Sequence, residues 1–326
     1  MTRLQDDFFD YVNGEWEKTA VIPDDKPVTG GFMDLDQDIE KLMLATTDKW
    51  LAGQDVPDDP ILQNFVKYHR LVADFDGREQ AGVAPAMPLV KEYKALGSFK
   101  EFADKIAEYE MAGKPNFFTF DVAPDFMNAQ MNVLWADAPG IILPDTTYYE
   151  EGNEKGKELL AIWRKMQEEL LPKFGFSAEE TKDILDKYLE LDAKLAKYVL
   201  SNEESSEYVK LYHPYDWADF TKLAPELPLD AIFTEILGQV PDKVIVPQER
   251  FWKEFAAECY SEKNWEHLHA ALKLFSTGAW TSLLTEEIRV LSGTYARAIS
   301  GVPEPRPKEK AAYQLAQGPY NQALGL

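Results

Sequence analysis

The first sixteen residues contain four large aromatic side chains, Phe8, Phe9, Tyr11 and Trp16. Each can contribute about 2 kcal/mol when it is buried, whereas ordinary chain termini are polar and frayed. Two glycine-containing pairs, Asn13-Gly14 and Gly30-Gly31, predict turns at which the backbone adopts positive φ. We therefore expect this stretch to be held against another part of the protein.

A net charge of −23 results from 34 basic and 57 acidic side chains in 326 residues. Such a chain repels the phosphates of nucleic acids and the surfaces of anionic membranes, so neither is an expected partner. A cationic peptide would instead be attracted. The hydrophobic content of 45% is enough for one large core or two smaller ones.

Cys259 is the single cysteine of the sequence and cannot form an internal disulfide. This is typical of proteins in a reducing cytosol. The first thirty residues show no basic region followed by an apolar one, and no run of about 18 apolar residues could cross a bilayer. We therefore predict a cytoplasmic location.

Apolar periodicity predicts a long helix directly after the aromatic stretch. Asp34 and Gln37 form a candidate capping box at the start of a helix over 35–51. One face of this helix would carry Leu35, Ile39, Leu42 and Met43.

Further helices are predicted from capping residues, glycine stops and apolar spacing, and two more capping boxes are formed by Ser98 with Glu101 and by Ser177 with Glu180. The predicted helices are 60–77, 88–96, 98–113, 154–174, 177–200, 249–260 and 265–284. The polar stretch 202–206 is predicted to be an exposed connection, and the proline-rich stretch 302–307 a linker.

Two neighbouring apolar runs predict a β-hairpin, 117–122 and 128–135, with a break at Pro124-Asp125 between them. A short apolar strand is also predicted at 243–246. The predicted fold class is therefore mainly α, a multi-helical lobe with a small β-hairpin.

Three motifs, in order along the chain, carry a family resemblance. The first is the opening Asp7-Phe8-Phe9-x-Tyr11-Val12-Asn13-Gly14-x-Trp16 with Ile22-Pro23 and Gly30-Gly31-Phe32; the second is Leu143-Pro144-Asp145-x-x-Tyr148-Tyr149; the third is 316–325. Together they resemble the N-terminal region of the neprilysin-type zinc metalloendopeptidases, in particular the bacterial endopeptidase O branch.

The resemblance implies an architecture of two mainly helical lobes around a cavity that admits small peptides. In that family the later half carries zinc, and the earlier half forms most of the lobe that limits access. Residues 1–34 are then expected to pack on the absent catalytic lobe, and residues 35–326 to form the access-limiting lobe. Because Leu326 follows an apolar helical pattern without a stop signal, this lobe is expected to be incomplete at the C-terminus.

The resemblance also implies three substrate-binding residues, Gly30, Gly31 and Phe32, in a stretch that approaches the substrate cleft of animal relatives. Arginines that hold a substrate's terminal carboxylate in those relatives are replaced here by Val28 and Asp36. The replacement favours cleavage of internal peptide bonds over release of C-terminal dipeptides.

A zinc site of this family requires H-E-x-x-H, because histidines four residues apart share a helix face. The four histidines are His69, His213, His267 and His269, and no two of them have this spacing. The pair at 267 and 269 is about 200° apart around a helix, so both cannot face one ion. The second family motif, E-x-x-x-D, occurs at 179–183 and 226–230, but neither follows H-E-x-x-H, so both are interpreted as helix-start or loop charges.

The sequence therefore predicts no catalytic residue and no metal site in this chain. The leading hypothesis is an N-terminal fragment of a zinc-dependent oligopeptidase, inactive alone, whose partners are small peptides and the missing catalytic part. The alternative is a complete, non-catalytic helical module that binds peptides or another protein.

Overall fold

The computed structural model describes residues 2–325. Their contacts divide the chain into two compact units. Unit 1 comprises the residues up to Gln80 together with those from Thr285 onward, and unit 2 comprises Ala81–Leu284.

The N-terminal part of unit 1 is helical. Its helices are α1 (Phe8–Glu17), α2 (Gly31–Leu51), α3 (Pro60–Val72) and α4 (Phe75–Ala81). The Asp59 carboxylate caps α3 by accepting hydrogen bonds from the backbone N–H groups of Ile61 and Leu62. The prediction of one helix over 60–77 was wrong, because α3 ends at Val72 and Asp74 accepts a hydrogen bond from the N–H of Gly77 in the next helix.

Two predictions about the N-terminal backbone were wrong. Gly14 lies inside α1 rather than in a turn, and Gly30 is extended, with φ 166°. Helix α2 begins at Gly31, so Asp34 lies within its first turn and forms no capping box. The Asp34 carboxylate instead accepts hydrogen bonds from Thr29 Oγ1 at 3.1 Å and Trp16 Nε1 at 3.3 Å.

Unit 2 contains most of the remaining helices: α5 (Met87–Ala95), α6 (Phe99–Ala103), α7 (Ile106–Met111), α8 (Glu154–Leu170), α9 (Ala178–Leu195), α10 (Asn202–Ser206), α11 (Trp217–Phe220), α12 (Leu229–Leu237), α13 (Glu249–Glu254), α14 (Ala256–Cys259) and α15 (Trp265–Gly278).

The capping box of Ser177 and Glu180 is confirmed at the start of α9. At α6 only half of the predicted box forms, because Ser98 accepts from the N–H of Glu101 while the Glu101 carboxylate accepts from the N–H of Gly97. The stretch predicted as an exposed connection is the short helix α10, which has a capping box of its own.

A four-stranded sheet lies in unit 2, with the order β1 (Phe120–Asp125), β2 (Asn128–Ala136), β4 (Lys243–Ile245) and β3 (Pro214–Asp216). The predicted hairpin is confirmed as the antiparallel pair β1–β2, in which Val122 lies opposite Leu134. The predicted break was misplaced, because Pro124 and Asp125 belong to β1 and the turn is formed by Phe126 and Met127. The sheet is larger than predicted, because β4 pairs parallel to β2 and the three-residue β3 pairs with β4.

Aromatic side chains fill the core of unit 2. Trp252 is 1% exposed, its ring centroid lies 4.7 Å from that of Phe220 and 5.6 Å from that of Phe120, and its Nε1 donates to the carbonyl oxygen of Ala136 at 3.2 Å. Cys259 is fully buried, as is common for a free cysteine, and burial raises the pKa of its thiol. Helix α15 packs against α9 and α5 within this core.

The C-terminal part returns to unit 1 as α16 (Glu286–Ser292), α17 (Thr294–Ser300), α18 (Lys308–Gln317) and α19 (Asn321–Leu324). Helix α18 packs on α3, where Phe65 and Val66 contact Tyr313 and Ala316. Among residues 2–325, no helix combines the length and the apolar character that a membrane span requires.

Candidate functional site

The three predicted substrate-binding residues lie at the start of α2. Gly30 is the N-cap, Gly31 is the first helical residue, and the Phe32 side chain is 86% exposed. A Cβ atom added at either glycine would meet nothing within 4 Å, so this helix end is open. Their role in substrate binding remains a prediction.

Helix α2 carries apolar side chains along most of its length. Phe32, Leu35, Ile39 and Leu42 recur at spacings of three and four and are each more than half exposed. Nearer the C-terminal end of the helix, Met43, Leu44, Trp50 and Leu51 pack against the core of unit 1. The predicted apolar face is therefore exposed at Leu35, Ile39 and Leu42, whereas Met43 packs on the core.

Helix α1 adds further exposed aromatic surface. None of its ten residues, all of which the structure describes, is buried. We call the residues of this region that are more than half exposed the N-terminal apolar surface; they are Phe8, Phe9, Tyr11, Val12, Val21, Ile22, Val28, Phe32, Leu35, Ile39 and Leu42. Within the described residues the opening aromatic side chains are thus largely exposed, and their expected packing on the absent catalytic lobe stays a prediction.

A buried carboxylate anchors the segment that leads into α2. Glu40 is 8% exposed, and its Oε2 lies 3.2 Å from the Lys26 ammonium and its Oε1 3.6 Å from that of Lys310. Lys310 also lies 3.5 Å from Asp25. These contacts join residues 25–26 and α18 to the buried face of α2, which fixes the position of the helix end that carries Phe32.

At the two positions where the resemblance implies arginines in animal relatives, both side chains are exposed. Val28 is 53% exposed, and the side chain of Asp36 is 67% exposed and lies 4.0 Å from the Lys26 ammonium. The basic side chain nearest to Val28 in the sequence, Lys26, is 14% exposed and already paired with Glu40.

The histidines have separate partners. His267 Nε2 lies 3.2 Å from the Glu190 carboxylate, whereas His269 Nε2 donates to the carbonyl oxygen of Tyr93 at 2.8 Å. Burial lowers the pKa of His269 to about 4. Within residues 2–325, no group of three His, Cys, Asp or Glu side chains is arranged to hold a metal ion.

The two E-x-x-x-D matches belong to local structure. Asp183 pairs with Lys187 at 2.9 Å on α9. Glu226 accepts a hydrogen bond from the N–H of Glu262 at 2.9 Å, and Asp230 accepts one from Trp217 Nε1 at 2.7 Å. Each of these three acids has a structural partner within unit 2.

The Leu-Pro-Asp-x-x-Tyr-Tyr motif forms a loop that is tied to α9 by a carboxylate the sequence did not reveal. Asp192 is 1% exposed and accepts hydrogen bonds from the Tyr149 hydroxyl at 2.6 Å and the N–H of Ile142 at 2.7 Å. Burial raises the pKa of Asp192 to about 6, although both hydrogen bonds favour its carboxylate form. No local pattern marks this residue, because its partners lie more than forty positions away.

Comparison with known sequences decides the family. The sequence profile of Peptidase family M13, in its N-terminal part, matches residues 4–326. The chain belongs to this peptidase family. A putative zinc metalloproteinase of Streptococcus gordonii is 65% identical over 326 residues, which cover 100% of this chain and 58% of that protein. A neutral endopeptidase of Lactococcus lactis is 34% identical over 329 residues, covering 100% and 52% respectively.

Two solved structures have the same fold. PepO of Lactobacillus rhamnosis superposes with a TM-score of 0.89 at 24% identity, covering 100% of this chain and 51% of the other. The zinc metalloprotease Zmp1 of Mycobacterium tuberculosis, in complex with an inhibitor, gives 0.82 at 20% identity, covering 99% and 49%. The M13 chain described here thus spans about half the length of the relatives that it matches.

Proposed function

We propose that this chain is the N-terminal part of a cytoplasmic zinc-dependent endopeptidase that hydrolyses internal bonds of small peptides. Its residues shape the cavity and limit the size of the peptides that enter. The catalytic motifs H-E-x-x-H and E-x-x-x-D belong to a further part of the protein, and this chain alone is inactive. The cytoplasmic location is supported by the single, buried Cys259.

The exposed apolar side chains in the N-terminal part of α2 carry this proposal. A helix normally buries one apolar stripe and exposes a polar face. Here Phe32, Leu35, Ile39 and Leu42 remain exposed, although the C-terminal part of the same helix packs on the core of unit 1. We assign residues 1–34 and this face of α2 to an interface with the catalytic part, because exposed apolar patches of this kind mark interaction surfaces.

Zinc in the complete enzyme would polarise the peptide carbonyl and lower the pKa of a bound water. The described residues of this chain do not fit that ion, since they offer no group of three suitable ligands. Their contribution is to bind and orient the peptide. Phe32, at the open start of α2, would line the primed side of the cleft, with Gly30 and Gly31 allowing the peptide backbone to approach closely.

The expected specificity follows from the charges around this helix start. Val28 and Asp36 cannot pair with a C-terminal carboxylate, and Lys26 is held by Glu40. A peptide that ends at this helix start therefore gains no ion pair over a peptide that extends beyond it. We accordingly expect the enzyme to cleave internal peptide bonds.

The test uses the complete protein that contains this chain, with internally quenched peptides as substrates. We expect hydrolysis that a chelator abolishes and zinc restores. Phe32→Ala should lower kcat/KM by about tenfold, the effect of one lost apolar contact of about 1.4 kcal/mol, with unchanged zinc content. Tyr208→Ala, which removes an aromatic side chain that is 69% exposed in unit 2, is the matched control.

Two results would contradict the proposal. Hydrolysis that survives complete removal of metal would exclude zinc chemistry. Hydrolysis by the 326-residue chain alone would show that the catalytic groups lie within it.

A further inference from the structure

Unit 2 contains an apolar cavity of about 250 Å³ beneath its β-hairpin. The cavity is bounded by the hairpin, by the end of α7 and by α12, and its apolar lining includes Met111, Phe118, Phe120, Phe233, Ile236 and Leu237. Phe118 and Phe233 are 7% and 2% exposed and form its floor. Their rings are fixed by stacking, since the centroid of Phe118 lies 4.2 Å from Phe120 and 6.0 Å from Phe233.

The mouth of this cavity combines exposed apolar side chains with negative charge. Met111 is 57% exposed, Val122 50% and Leu237 42%. The two ionisable groups of the lining are both acids, Glu110 and Asp121. One oxygen of each carboxylate accepts an internal hydrogen bond, from Asn116 Nδ2 at 2.7 Å and from the N–H of Val122 at 2.7 Å, so that both side chains are held at the mouth.

A second hollow continues from the first. It has a volume of about 640 Å³ and shares Val122, Leu134 and Leu237 with the cavity. Its lining includes Asp125, Asp242 and Lys243, but Lys243 is paired with Asp125, which also accepts from the Tyr212 hydroxyl at 2.8 Å. The exposed carboxylate of Asp242 therefore dominates the charge of this part of the groove.

The hairpin edge beside the cavity is protected from strand addition. Strand β1 is terminal in the sheet. Pro124 has no N–H to donate, and the N–H of Val122 is already engaged by Asp121. A ligand would accordingly bind through its side chains, and a cavity of 250 Å³, below the range of roughly 300–1,000 Å³ of small-molecule pockets, suits one large apolar side chain.

We propose that this groove binds a peptide segment in which one large apolar side chain fills the cavity and neighbouring lysines or arginines face Glu110, Asp121 and Asp242. The complementarity of charge selects this occupant, because every carboxylate at the mouth repels an acidic or phosphorylated one. The net charge of −23 attracts the same class of peptide. The site goes beyond the proposed hydrolysis, since it lies wholly in unit 2 and needs neither zinc nor Phe32.

The test is fluorescence anisotropy with the 326-residue chain and a fluorescein-labelled nonapeptide that carries one phenylalanine between two arginines in a glycine-serine background. We expect saturable binding that weakens about tenfold or more when the phenylalanine is replaced by alanine. Replacing both arginines by glutamates should abolish it. Binding should also weaken as the salt concentration rises.

Variants of the protein locate the site. Val122→Trp should cover the cavity from its exposed rim and weaken binding about tenfold or more; Leu237→Gln tests the opposite rim in case the first variant fails to fold. The double substitution Glu110→Gln and Asp121→Asn keeps the internal hydrogen-bond acceptors and should weaken binding about threefold to tenfold. The matched control, Glu151→Gln with Glu169→Gln, removes two exposed charges elsewhere in unit 2 and should change nothing.

Three outcomes would overturn the proposal. The first is binding that is equal for the alanine peptide, and the second is binding that a folded Val122→Trp variant retains. The third is a chain that binds no peptide but self-associates, with Val122→Trp suppressing the self-association. That result would assign the groove to a second copy of the chain.

Discussion

Helices α2 and α15 are both long and amphipathic, yet they use their apolar residues differently. Of the 21 residues of α2, all described by the structure, Glu40 and Thr47 alone are buried, and both are polar. Helix α15 is 14 residues long and buries eight of them, among them Trp265, Leu268 and Leu272. Helix α15 therefore buries its apolar residues within this chain, whereas α2 leaves many of its apolar residues exposed.

This difference in burial distinguishes a core that is packed within the chain from a surface that a partner would cover. In unit 2, β-strands and helices enclose aromatic side chains such as Trp252 completely. In unit 1, α1 and the outer face of α2 present apolar side chains to solvent. An apolar surface of this kind stabilises a protein only when a partner covers it, so its energetic contribution should depend on whether that partner is present.

The largest expected effect contrasts one aromatic residue from each region. Trp252→Ala should lower the free energy of unfolding of this chain by about 3–5 kcal/mol, because it opens a cavity and removes a hydrogen bond to Ala136. Phe9→Ala, at a side chain that is 59% exposed, should change it by less than about 0.5 kcal/mol. Urea denaturation measures both, and equal effects would contradict the contrast.

The next effect concerns the buried ionisable groups of unit 2. The pKa of Asp192 is raised to about 6, so the folded state holds this proton more tightly and its contribution to stability falls as the pH rises from about 4 to 6. The pKa of His269 is lowered to about 4, so its contribution is present above pH 6.5 and is lost as the pH falls toward 4. The two contributions to the pH dependence of the free energy of unfolding have opposite signs, and each has a slope of up to about 1.4 kcal/mol per pH unit.

Single substitutions should uncover these opposing slopes. With Asp192→Asn, the stability of the chain should fall more steeply on acidification between pH 6 and 4 than it does in the unsubstituted chain. With His269→Gln, it should fall less steeply. Urea titrations at several pH values measure the slopes, and a shift of both variants in the same direction would refute the assignment.

The smallest effect on the stability of this chain should come from the N-terminal apolar surface. Leu35→Gln with Leu42→Gln replaces two side chains that are 58% and 64% exposed, so unfolding of the isolated chain should change by less than about 0.5 kcal/mol. Because the surface is exposed and apolar, we expect the isolated chain to self-associate through it, and the leucine pair should weaken this association by about tenfold in sedimentation experiments. In the complete protein, the same pair should destabilise by about 2 kcal/mol or more, because a covered surface would lose apolar contacts.

Val209→Gln is the control for this pair, since its side chain is 92% exposed in unit 2. It should leave both self-association and the stability of the complete protein unchanged. If the leucine pair likewise left the stability of the complete protein unchanged, the surface would not be the interface that we propose.

Local chemistry predicted many of the helices and the hairpin. Asp59 caps α3, Ser177 with Glu180 caps α9, and Pro124-Asp125 falls at the end of β1, where the pairing register of the hairpin shifts. Each signal acts within a few residues, so it can be read from the sequence. Where a side chain had other partners within reach in the folded chain, prediction failed: Asp34 accepts hydrogen bonds from Trp16 and Thr29 instead of capping α2.

The candidate sites also differ in whether short stretches of sequence could predict them. The three sequence motifs, the first of which includes Phe32, together indicated the family, and the family profile confirmed this over residues 4–326. The cavity under the hairpin was not predictable, because α7, β1, β2 and α12 contribute to it from positions between 110 and 237. Asp192 was missed for the same reason, since its burial depends on a loop that lies far away in the sequence.

The sequence by itself determined the family, the helical character and the hairpin, since all three depend on motifs and periodicities within short stretches. Only the tertiary structure decided which apolar faces are covered. Periodicity places Leu35, Ile39 and Leu42 on one side of a helix but does not distinguish a side packed in the core from a side left open. That distinction depends on which other elements reach the helix, and in this chain α3 and α18 form the core against which the C-terminal part of α2 packs.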